Sequence, residues 1–62
     1  MKENDRVSYI GSDNDVLSLK NGDVGTILKE HGNGFYEVEF TDEEGITVVL
    51  EVLADEFLKK IK

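Results

Sequence analysis

The clearest pattern along this chain is "FYEVEF", residues 35–40. Tyr36, Val38 and Phe40 fall on one side of a strict alternation, and Glu37 and Glu39 on the other. A period of two belongs to an extended strand with one buried face. A second apolar run, "ITVVLEVL" at 46–53, also fits that period. Ile46, Val48, Leu50 and Val52 form the expected inward set, with Thr47, Val49, Glu51 and Leu53 on the other face. Val49 and Leu53 interrupt that polar side, which a strongly bent strand burying parts of both faces would explain; a self-association or partner surface is the other reading. "RVSYI" at 6–10 reads as a first strand, and "TIL" at 26–28 as part of another. "ADEFLKKI" at 54–61 reads as a short helical turn leading into a final strand, with a longer C-terminal helix as the alternative. The core predicted from these faces is Val7, Tyr9, Val24, Ile27, Tyr36, Val38, Phe40, Val48, Leu50 and Phe57, the last plugging one end.

Turn residues separate these runs. Asn21 and Gly22 both tolerate positive φ, and Asp23 can accept backbone N–H bonds within the same turn. Gly25 precedes a strand former where a side chain would collide with a crossing strand or a bulge needs relief. "HGNG" at 31–34, with Asn33 and Gly34, marks a second turn, and "DEEG" at 42–45 a third that places Gly45 in a left-handed position. "GSDNDVLSLK" at 11–20 is a loop that Val16, Leu17 and Leu19 can pin onto the core. Four to five short strands with close-set glycine turns and no proline describe an all-β fold, a small and strongly bent barrel in one domain, residues 1–62.

Size and charge narrow what such a domain can do. A chain of 62 residues buries only about 60% of its extended surface, so its core is a single cluster. It has no cysteine for a disulfide or thiolate site. No run approaches the roughly 18 apolar residues of a membrane span, and the start lacks a signal-peptide core, so a cytoplasmic protein without membrane association is expected. The net charge is −7, unevenly distributed: Glu30 to Glu56 holds nine acidic residues and no Lys or Arg. The tail turns basic at Lys59, Lys60 and Lys62. Acidity of this kind keeps small proteins soluble, or complements a basic partner. It disfavours nucleic acid, whose phosphates need concentrated Lys and Arg.

Motif chemistry is sparse. "LKNGDVGTIL" at 19–28 holds two glycines and a lysine, but a phosphate loop needs more glycines, a Lys-Ser or Lys-Thr pair and a following helix, so it turns the chain. Asp13, Asn14 and Asp15 lack the spacing and closing glutamate of a calcium loop. His31, the single histidine, has no cysteine near it for zinc and reads as a turn residue. Glu37 and Glu39 lie roughly 6.5 Å apart along one strand face, with Glu51 expected across from them. Catalysis by such a pair needs a cleft that splits their pKa values, and a barrel this small has little room for one. No catalytic residue, metal or cofactor is expected.

The run Lys20, Gly22, Asp23, Gly25, Thr26, then Tyr36 to Phe40, Asp42 to Gly45 and Ala54 to Leu58, resembles the small bacterial DUF4926 family. "DRVSYI" fits that family's first strand. The chain departs from the pattern at Leu53, in place of a common proline, and at Lys59, Lys60 and Lys62, where relatives often have arginine and proline. The resemblance implies an SH3-like barrel without assigned catalytic residues. The Gly-Asp-x-Gly segment is also similar, more weakly, to the opening turn of KOW-type domains.

The function expected from these features is a non-enzymatic protein-interaction module of the immunity, inhibitor or adaptor kind. Glu37, Glu39, Glu51, Glu43 and Glu44 would face a basic protein, and the module would be a monomer or homodimer. The alternatives are a KOW-like nucleic-acid accessory domain, which would need Arg6, Lys20, Lys29 and the tail lysines on one face, and a structural or homo-oligomerising protein.

Overall fold

The computed structural model describes residues 1–61. Five strands follow in order: β1 (Arg6–Tyr9), β2 (Val24–Gly32), β3 (Phe35–Thr41), β4 (Thr47–Ala54) and β5 (Leu58–Ile61). A three-residue 3-10 turn, Asp55–Phe57, joins the last two. Every pairing is antiparallel, in one sheet of order β4-β3-β2-β1-β5. The fold is therefore all-β, with the short C-terminal turn in place of a longer helix. Among the described residues no helix is long and apolar enough to cross a membrane.

The sheet is strongly curved, and the connection between β4 and β5 shows why. These strands stand at opposite ends of the strand order, yet only three residues separate them in sequence. Leu53 of β4 and Leu58 of β5 enter the same buried cluster, with Val7, Tyr9, Leu19, Ile27, Val38 and Phe40. Burying each of these side chains contributes about 1.5–3 kcal/mol relative to exposure. The Tyr9 ring meets Phe40 edge-on at 6.4 Å between centroids, and the Tyr9 hydroxyl donates to the Ser12 carbonyl at 2.7 Å.

Three bulges help to bend the strands. Register shifts fall at Leu28 and His31 of β2 and at Val48 of β4, where one strand carries a residue its neighbour does not match. A bulge adds local twist and lets consecutive residues share a face. At Val48 it reverses the expected parity of β4. Val49 opposes Phe40 and Leu53 opposes Tyr36, so these residues turn inward. Ile46, Val48, Leu50 and Val52, expected inside, are exposed instead. Val24 is half-buried, because it pairs with Ser8 on the parity opposite to Gly25 and Ile27. Phe57 is 40% exposed and plugs nothing; its carbonyl accepts from the Ile10 amide at 2.8 Å. In the 11–20 loop Leu19 is buried and Leu17 packs against the core, but Val16 stands exposed at the tip.

The turns follow their residues. Asp23 Oδ2 accepts from the Lys20 amide at 2.9 Å, and Gly22 has a φ of +96°. Asn33 and Gly34, with φ values of +54° and +80°, form the two-residue connection between β2 and β3. His31 belongs to β2 and not to that turn. Gly25 is fixed by proximity: a Cβ there would lie 2.6 Å from the Glu39 carbonyl oxygen on β3.

Candidate functional site

Strand parity sorts the charged residues onto different faces. Residues opposed across antiparallel strands share a face. Glu39 opposes Leu50, and Glu37 opposes Val52. The two acids and the exposed apolar residues of β4 therefore make one surface. Glu51 opposes Val38, which puts it on the other parity, not across from Glu37 and Glu39 as expected. Its half-buried position still lets it line the edge of the sheet. Glu37, Leu50, Glu51 and Val52 surround one shallow depression of about 260 Å³.

The acids on this surface are held by neighbours that also come from strand ends. Glu37 Oε1 lies 3.1 Å from His31 Nε2, a contact the bulge at His31 makes possible. Glu39 Oε2 accepts from the Thr47 hydroxyl at 2.7 Å. A carboxylate offers about four acceptor sites, so each acid keeps capacity for further donors. Chemically, the imidazole–carboxylate pair and the hydroxyl do not form a relay, since Thr47 donates to Glu39 and not to His31. Among the described residues no cluster of three or more His, Asp or Glu could hold a metal ion.

Glu43 and Glu44 lie apart, exposed in the β3–β4 connection. That connection is organised by Asp42, whose Oδ1 accepts from the amides of Glu44 at 2.9 Å and Ile46 at 3.0 Å, with Gly45 at a φ of +80°. The basic residues are divided as well. Lys59 opposes Ser8 and Lys60 opposes Val7, beside Arg6 on β1. Lys29 lies opposite Glu37, and Lys20 sits in the 20–23 turn. Lys62 lies outside the described residues. Alternation alone turns the apolar part of the surface, Val48, Leu50 and Val52, inward. The signal that could have revealed it was the second apolar set, Val49 and Leu53, competing for the same core.

No curated protein and no solved structure shows a significant match to the chain. Residues 3–60 match the family described as "Domain of unknown function (DUF4926)". That match spans the first strand, the Gly25 contact, the acidic strand β3 and both edges of the sheet, so this chain belongs to the DUF4926 family.

Proposed function

We propose that this protein is a non-enzymatic interaction module, an SH3-like barrel acting in the cytoplasm, whose Glu37–Glu39 surface meets a basic protein. One observation carries the reading: β4 leaves Val48, Leu50 and Val52 exposed directly beside the two acids. Three exposed apolar side chains on one strand are a poor design for solubility alone, where charges would occupy the strand instead, even with Lys29 opposite Glu37. They are a good one for binding. The apolar strip supplies area removed from water, and the acids speed encounter and exclude acidic partners. An immunity, inhibitor or adaptor role would fit such a surface.

The test is retention of proteins from the native cell lysate on the immobilised domain, at low and then physiological salt. The expected result is a basic protein retained at both salts and lost with Glu37→Lys and Glu39→Lys. An empty column at low salt overturns the proposal, because charge attraction is least screened there.

A further inference from the structure

We infer that β4 is a docking edge for an extended peptide segment in which apolar residues alternate with Lys or Arg. The inference rests on the interaction-module reading above and names the form of the partner. β4 is an outermost strand of eight residues, and an outermost strand offers a row of backbone N–H and C=O groups to another chain. Adding a strand to such a row gives affinity through the main chain and specificity through alternate side chains.

The side chains of β4 specify what the added strand must carry. Leu50 and Val52 point to the exposed apolar face, where opposed partner residues would be apolar. Glu51 lies between them with the opposite parity, so the partner residue facing it also alternates. Opposite charges directly across a pair are favourable and like charges unfavourable, which calls for Lys or Arg at that position. The recognition pattern is thus apolar–basic–apolar. The bulge at Val48 interrupts regular pairing, which leaves Val49–Ala54 as the regular run.

A second copy of the chain fits this edge poorly. Two β4 strands paired about a two-fold axis at Glu51 would set one Glu51 against the other, and each copy carries a net charge of −7. The other outer strand, β5, offers lysines, but its Leu58 is committed to its own core.

The test uses a fluorescent eight-residue peptide of alternating valine and lysine, titrated by anisotropy with the full-length protein. Comparators are a shuffled peptide of equal composition, an alternating valine–glutamate peptide, and two N-methylated forms that each block one backbone edge. The alternating valine–lysine peptide should bind at least 10-fold tighter than the shuffled one. One N-methylated form should lose binding while the other keeps it, and alternate amides from Val49 to Leu53 should gain hydrogen-exchange protection. Leu50→Lys should weaken binding at least 10-fold without loss of fold, since Leu50 is exposed. Equal binding of shuffled and N-methylated peptides, lost with Glu37→Lys, would overturn strand addition and leave the acidic-surface reading standing. Self-association abolished by Leu50→Lys, with no peptide bound, would make a second copy the occupant and overturn the inference. Failure of every basic peptide would overturn it too, and an empty lysate column beside that failure would overturn both readings.

Discussion

The two outer strands of this sheet face the same hazard in opposite ways. β5 is four residues long, carries Lys59 and Lys60 at its centre, and buries Leu58. Short length and lysine are the usual means by which proteins keep an edge from pairing with another chain. β4 is twice as long, carries no Lys or Arg, and exposes Ile46 just before it together with Val48, Leu50 and Val52 within it. Its protective features are the bulge at Val48 and the single charge of Glu51. One edge is guarded by lysine and the other is largely apolar, and on the proposed reading that difference locates the candidate interface more sharply than the net charge does.

The largest expected effect removes both edges together. Gly25 lies on β2, which pairs with β1 on one side and β3 on the other, and so joins the half of the sheet ending in β5 to the half ending in β4. A Cβ at 2.6 Å from the Glu39 carbonyl oxygen meets backbone, which cannot turn aside as a side chain can. Gly25→Val should cost about 3 kcal/mol or more. A domain of 62 residues has roughly 3–9 kcal/mol in total, at about 0.05–0.15 per residue. The variant should melt at least about 12 °C below the parent by circular dichroism, at about 4–8 °C per kcal/mol. A melting temperature within a few degrees of the parent would show that β2 and β3 separate easily.

Two leucines compare the edges directly. Leu58 on β5 is 5% exposed and Leu50 on β4 is 56% exposed. Leu58→Ala should cost about 2–4 kcal/mol through lost burial and the cavity left behind. Leu50→Ala should stay within about 0.5 kcal/mol, as surface substitutions usually do. At about 4–8 °C per kcal/mol for a domain this small, thermal melts should separate the two variants clearly. Equal losses would mean that Leu50 is covered, and the contrast between the edges would fail.

Much of this fold was legible from residue type, and the exception is informative. The alternation of Tyr36, Val38 and Phe40 against Glu37 and Glu39 has one solution, because a one-residue slip would bury two carboxylates. Asn33, Gly34 and Gly45 announced backbone angles that other residues resist, and Gly25 a close approach. β4 had no such constraint. Both of its faces carry large apolar residues, so the period alone fixes a strand but not which side turns inward, and the bulge at Val48 decides the parity. His31 failed for a related reason: it lies in a bulge beside the turn, where its ring reaches Glu37. The acidic surface was thus readable in Glu37 and Glu39, while its apolar half and the displacement of Glu51 needed the register.

A smaller effect tests the connection that delivers β4. Asp42 Oδ1 accepts two backbone amides in an exposed turn, so Asp42→Ala should cost about 1 kcal/mol. Hydrogen exchange should quicken at Glu44 and Ile46 and leave Val7 unchanged at low denaturant. Uniform acceleration through β1 would instead show that the turn and the core open as one unit.

The smallest expected effect separates guarding an edge from stabilising it. Lys60 Nζ lies 3.8 Å from Asp5 Oδ2, and the lysine side chain is more than half exposed. Asp5 Oδ2 also accepts from the Lys2 amide at 3.0 Å, so it keeps a partner without Lys60. With the lysine this open to solvent and the separation this long, the pair contributes about 0–1 kcal/mol, and Lys60→Ala should sit at the low end, near the limit of a denaturant titration. If the lysines on β5 act against pairing, the double change Lys59→Val and Lys60→Val should barely alter the melt yet produce concentration-dependent association in sedimentation. The same association, reduced by Leu50→Lys, would mean that the newly apolar β5 finds β4 of another copy. A variant that stays monomeric at every concentration would show that shortness alone protects β5, and then the eight-residue length of β4 carries more of the argument than its leucine and valines do.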